Sequence, residues 1–159
     1  LRYDIDALND VIYADVNLAV NLAALAGTQE EYEYYYDLVF DRLDWLEERL
    51  STRRYLMGDT ITSPDIRLFV TLTRFDLVFY QKYLLNKKRL VDYPNLWNYA
   101  KDLFSIPAFG KNTDFNSMRL RFYYVDHTPF ADMPRLMPKG PDDSRWLEPN
   151  DRAEKFSKK

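Results

Sequence analysis

Cysteine is absent from these 159 residues. That excludes disulfides, thiolate metal sites and any cysteine nucleophile supplied by the chain itself. A single histidine, His127, is too few for a histidine-based metal cluster. No apolar run approaches the roughly 20 residues needed to span a bilayer as a helix. Positive charge is not in excess. The formal net charge is −3, so no basic field invites nucleic acid, and the short run Asn86-Lys87-Lys88-Arg89 reads as a solvated loop. An initiator Met and a signal-peptide pattern are also missing, which suggests a fragment or a processed chain.

What is present is a core and many aromatics. Hydrophobic residues make up 47% of the chain, with thirteen Tyr, ten Phe and three Trp. The length fits one domain able to bury about two thirds of the surface its unfolded chain exposes. Aromatic side chains carry large burial energies, and Tyr and Trp also mark interfaces.

The apolar pattern is helical. Ile5, Leu8, Val11, Ile12, Val16, Ala19, Val20 and Ala23 fall on one face of a first helix, which Gly27 can stop. Thr28-Gln29-Glu30-Glu31 is a capping box opening a second helix that runs to about Leu50. Its inner face would carry Tyr35, Leu38, Val39, Leu43, Leu46 and Leu50. Loops are expected at Ser51 to Arg54 and at Met57 to Thr60. A third helix begins with Thr62 as N-cap, Pro64 in the first turn and Asp65 at N3, where the carboxylate can reach back to the N-cap N–H. Ile61 and Ile66 are spaced as a hydrophobic staple. This helix is apolar all round, which predicts a central, buried position, with Arg67, Arg74 and Asp76 buried as an architectural charge group. Pro94 restarts the pattern through Leu96, Trp97, Ala100, Leu103 and Phe104, which ends before Pro107. Asn112-Thr113 can cap another helix from Asp114 to about Tyr124. No alternating strand pattern occurs, so the fold class is all-α.

Residues 1–127 form the expected helical domain, and 128–159 an extended tail. Pro129, Pro134, Pro138, Pro141 and Pro149 are spaced too closely for a regular element. The tail is expected to lie across the body or a partner, anchored by Phe130, Met133, Leu136, Met137 and Trp146.

A buried helix beginning Thr-x-x-Asp behind a glycine loop resembles the C-terminal helical domain of glutathione transferases. The stretches "TSPDIRLFVTLTRFDLVFY", "DYPNLWNYAKDLFSIPAF", "TDFNSMR" and "PKGP", together with "VIYADVNLAV" and "GTQEEYEYYYDLVFDRLDWLEERL", resemble the glutathionyl-hydroquinone reductases, also called xi-class glutathione transferases. The resemblance runs from about Val11 to Pro141. It implies two domains. An N-terminal thioredoxin-like half, not in this chain, would hold glutathione and a catalytic cysteine that removes glutathione from a glutathionyl-hydroquinone through a mixed disulfide. The helical half would give the wall of the quinone pocket and the dimer interface. The family places two tyrosines near the substrate hydroxyls. One position falls on Asn21 here. The other falls on Phe122, with Tyr123 and Tyr124 beside it, and a one-residue shift brings Tyr123 to it.

Two readings follow. The first is a non-catalytic module kept for its shape, with no catalytic residue, no metal and no cofactor of its own, acting with other protein subunits or with a second copy of itself. The alternative is the C-terminal part of a glutathione-dependent glutathionyl-hydroquinone reductase whose thioredoxin-like half lies outside these residues. The intact mass of the native polypeptide discriminates them. A third reading is an aromatic-ligand site at Tyr13, Tyr123 and Tyr124. Against it, these tyrosines and the cluster Tyr32, Tyr34, Tyr35, Tyr36 also suit core and interface roles.

Overall fold

The computed structural model describes residues 2–124 and 136–157. Among them there is no β-strand, only an isolated bridge between Tyr55 and Gly58, so the chain is all-helical. The first helix is continuous in direction but not in pitch. α1 (Arg2–Ile12) passes through a π-helical segment (Tyr13–Leu18) into α2 (Ala19–Leu25). The reason lies in the spacing. Leu8, Ile12, Val16, Val20 and Ala24 are buried at intervals of four. At 3.6 residues per turn each such step drifts by about 40°, and the wider π turn takes up that drift.

α3 (Gln29–Ser51) starts as its sequence predicts, with Thr28 accepting from the Glu31 N–H at 3.1 Å. The reciprocal bond differs from the expected box: Glu31 Oε2 accepts from the N–H of Gly27, not of Thr28. α4 (Ser63–Arg74) opens on the Thr62–Asp65 box and continues into a second π-helical segment (Phe75–Phe79). A 3₁₀ turn (Leu90–Asp92) leads into α5 (Pro94–Phe104). The short α6 (Pro107–Gly110) and α7 (Phe115–Tyr123) follow. α7 is capped by Asp114, whose side chain accepts from the Ser117 N–H, rather than by Asn112 or Thr113.

α4 and its π turn form the middle of the bundle. Leu68, Leu72, Phe75, Leu77, Val78 and Phe79 are buried; α4 packs on α1, on the π segment that follows α1 and on α5, and the Phe75 ring meets Phe40 of α3 edge-on. The helix is not enclosed on every side, however. Ile66 and Val70 are 54% and 47% exposed, so one stripe faces outward.

Beyond residue 135 the chain corrects the expectation of no regular element. Between Pro141 and Pro149 it forms a 3₁₀ helix (Asp143–Leu147), and after Pro149 a single turn, α8 (Arg152–Lys155). Proline restricts itself and its immediate predecessor, so one turn fits between two prolines. Trp146 is buried, Met137 half-buried, and Leu136 is 75% exposed and therefore no anchor. His127, Pro129, Phe130, Met133 and Pro134, and with them the expected domain boundary after residue 127, lie outside the described residues.

Candidate functional site

The capping pair at the start of α4 is a four-bond node. Asp65 is fully buried. One carboxylate oxygen accepts from the Thr62 N–H at 2.8 Å and the Thr62 hydroxyl at 3.0 Å. The other accepts from the Leu56 N–H at 2.9 Å and the Tyr99 hydroxyl at 2.8 Å. One carboxylate thus fixes the helix start, the loop before it and the middle of α5. A buried anion with all its neighbours donating is architectural rather than catalytic.

The expected buried charge group is not a group. Arg67 is exposed, with its guanidinium 5.6 Å above the ring of Tyr13. Arg74 is half-buried and turns back to donate to the Val70 carbonyl of its own helix. No carboxylate of the described residues bonds to either. Arg67 escapes because its side chain lies on the outward stripe beside Ile66 and Val70. Asp76 is half-buried and works elsewhere. It accepts from the N–H groups of Leu90 at 2.5 Å and Val91 at 3.3 Å, and so anchors the 3₁₀ turn that precedes α5. Burial pushes its carboxyl up from the usual range.

The residues expected as a substrate wall fall into two places. Tyr13 and Asn21 are both exposed on the first helix. Between them Asn17 donates to the Arg67 carbonyl and to the Thr71 hydroxyl, which holds the π segment against α4. Its own carbonyl then accepts from Asn21. The Asn17 side-chain oxygen, Oδ1, is buried without a partner. Asp15 of the same segment receives two bonds from Arg42 of α3, at 2.9 and 2.7 Å.

Phe122, Tyr123 and Tyr124 sit toward the far end of α4. Phe122 packs edge-on against Phe79 and Tyr83. Tyr123 donates its hydroxyl to the Leu77 carbonyl at 2.7 Å, with the Lys82 ammonium 5.4 Å from its ring. Burial raises the Tyr123 phenol to about 12. Its one proton is therefore held in a backbone bond. Tyr124 is 40% exposed. The partners of Tyr13 and Tyr123, Arg67 of α4 and Leu77 of the π segment after it, are ten residues apart, about 15 Å along a helix. The structure does not draw the five residues into one pocket.

Sequence reasoning missed a cleft of about 330 Å³. Its walls are the π turn with Asp76, Leu77 and Tyr80, the aromatic faces of Trp97 and Phe115, and the segment from Gly140 to Trp146. The signal available was the pairing of "PKGP" with a following tryptophan. Those residues lie far along the chain from most of what they cover: Gln81 donates to the Gly140 carbonyl across 59 positions, and Arg119 of α7 to Asp143 across 24. Among the described residues no group of His, Asp and Glu could hold a metal ion, and no helix is long and apolar enough to cross a membrane. Chemically, the surfaces described can bury an aromatic ring and donate or accept hydrogen bonds. With no thiol in the chain, they cannot attack a sulfur.

Comparison with known proteins gives these surfaces a context. Residues 29–102 match the family described as "Glutathione S-transferase, C-terminal domain". Glutathionyl-hydroquinone reductase PcpF of Sphingobium chlorophenolicum is 38% identical over 140 residues, covering 88% of this chain and 44% of that protein. A crystal structure of a glutathione transferase from Gordonia bronchialis superposes with a TM-score of 0.91 at 43% identity, covering 99% of this chain and 49% of that one. The glutathione-bound structure of YqjG, a glutathione transferase homologue from Escherichia coli K-12, gives 0.89 at 34% identity, covering 98% and 50%. The chain thus spans about half the length of the proteins it matches. These residues belong to the C-terminal helical domain of the glutathione transferase family, in its glutathionyl-hydroquinone reductase, or xi-class, branch.

Proposed function

We propose that this chain is the helical, substrate-facing part of a glutathione-dependent glutathionyl-hydroquinone reductase. The observation that carries the reading is the 38% identity, across 88% of the chain, to PcpF, a relative named for that activity. In this reading a thioredoxin-like half binds glutathione and supplies the thiol, and the helical chain contributes the wall and a contact surface for a second copy. The family's two tyrosine positions fall on Asn21 and on Phe122, or on Tyr123 with a one-residue shift; since Tyr123 already donates its hydroxyl to the Leu77 carbonyl, hydrogen bonding to the substrate hydroxyls would pass to other groups. Tyr13 and Tyr124 are the exposed phenols nearest those positions in sequence. The reading as a non-catalytic structural subunit has no relative in its favour and gives way to this one.

The test uses the native polypeptide. The expected result is an intact mass roughly twice that of these 159 residues, with glutathione-dependent release of hydroquinone from a glutathionyl-hydroquinone. A native polypeptide of that size with no turnover would return the subunit reading to first place. Tyr13→Phe and Tyr124→Phe are assayed separately in the same polypeptide: because the two phenols stand apart, only the one that faces the substrate should lower turnover, and neither should move the denaturation midpoint.

A further inference from the structure

Arg152 is a cation buried to 0% exposure in a chain segment otherwise near the surface. Its guanidinium donates to three backbone carbonyls: Leu50 at 2.8 Å, Arg53 at 2.5 Å and Arg54 at 2.6 Å. These are the carbonyls at and just beyond the C-terminal end of α3, where a helix leaves its acceptors unsatisfied and its dipole is negative. Phe156 closes the other side, its ring 4.6 Å from the guanidinium carbon. No carboxylate of the described residues is bonded to it. Asp102, Asp151 and Glu47 favour the charge without bonding to it, the Arg152 Nε is buried without a partner, and three convergent carbonyls supply the direct contacts that replace water.

Three further ties lie upstream on the same segment. Lys101 Nζ donates to the Pro149 carbonyl at 2.8 Å. The indole of Trp146 is surrounded by the rings of Trp97, Phe104, Phe115 and Phe69, with centroids 4.9 to 6.3 Å away. Arg119 of α7 grips Asp143 through two bonds of 2.6 Å and also reaches the Pro141 carbonyl. The stretch so tied, from Gly140 to Trp146, is the outer wall of the cleft beside Asp76.

We propose that residues 140–157 are a strap, that Arg152 is its clasp on the C-terminal end of α3, and that the clasp keeps the outer wall of the Asp76 cleft in place. Arg152 is a positioning residue: it touches neither the cleft nor the tyrosines of the first helix, and acts on the wall through the strap. The fork of donors, not the charge alone, is what three carbonyls in different directions require, so lysine is a poor substitute.

The test is amide hydrogen exchange on the native polypeptide carrying Arg152→Met, Arg152→Lys or no change. The expected result is exchange accelerated by about tenfold or more across residues 142–157 in both variants, with amides of α4 and α5 unchanged. The emission of Trp146 should shift to the red at the same time, with Trp146→Phe identifying its contribution. Three outcomes overturn the proposal. Strap exchange unchanged in Arg152→Met means that Trp146 and Arg119 hold the strap unaided. Wild-type exchange in Arg152→Lys means that the fork is irrelevant. Acceleration spread equally over α4 and α5 means that Arg152 is a core residue and not a clasp.

Discussion

At the scale of single residues the buried acid Asp65 carries the most consequence. Removing its carboxylate leaves the Leu56 N–H and the Tyr99 hydroxyl without acceptors in the interior. Each unsatisfied buried group costs about 1–3 kcal/mol, so Asp65→Ala should lose about 3 kcal/mol or more. Tyr99→Phe removes only a donor and should lose about 1 kcal/mol. Urea midpoints of the two variants in the same background check the order. A midpoint for Asp65→Ala no lower than that for Tyr99→Phe would deny the node its role.

Tyr123 makes the pH-dependent prediction. Its phenol lies near 10 when free and is raised to about 12 in the fold by burial. The folded state thus favours the protonated form. Its contribution to stability is complete below pH 10 and is lost as pH rises from 10 towards 12. Tyr32, Tyr36, Tyr55, Tyr93 and Tyr99 are raised in the same direction by burial, so Tyr123→Phe should lessen rather than abolish that part of the loss, which denaturation at pH 9, 10 and 11 measures directly. An equal alkaline loss in wild type and variant would assign the effect to other groups.

At the scale of elements, local signals were legible and their geometry was mostly right. Thr28 caps α3, and Asp65 reaches back to the Thr62 N–H at the start of α4, because both bonds join residues three apart, a separation that sequence displays. The two π segments were not legible. A spacing of four along Leu8, Ile12, Val16 and Val20 is compatible with an α-helix until the partner surface decides how much drift it tolerates. The same cause misplaced Arg67. Counting apolar residues around α4 gave no empty face, yet Ile66 and Val70 point outward and Arg67 goes with them.

Close approach between elements gives another test. Gly110 ends α6, and a Cβ there would lie 2.3 Å from the backbone oxygen of Phe104. Backbone cannot yield as a flexible side chain does. Gly110→Ala should therefore push α6 off the end of α5 and cost about 1–3 kcal/mol, as overpacking does. A thermal midpoint equal to that of wild type would mean the two elements separate at no cost.

At the scale of the whole molecule, the chain alone should not turn over a glutathionyl-hydroquinone. It has no cysteine, and the route implied for its family needs a thiolate. Purified, these 159 residues should give a rate equal to the uncatalysed background. Turnover above it would show that some other group in the helical part can remove glutathione, and would change the mechanism assigned to the branch.

Composition and periodicity by themselves determined the all-helical class, the order of the main helices and the capped starts of α3 and α4. The family resemblance rested on stretches read directly from the chain. All of these depend on residues within a turn or two of each other. The tertiary structure alone decided which ends are capped from a distance. Glu47 of α3 accepts the first N–H groups of α5, at Asn95 and Leu96, and Arg152 donates to carbonyls at the end of α3. It alone also decided that Tyr13 and Tyr123 stand apart and that Trp146, not Leu136, is a buried anchor beyond residue 135. Partners 48 and 102 residues away leave no local pattern. Their meeting is fixed by which faces pack, and packing is a property of the assembled core rather than of any one segment.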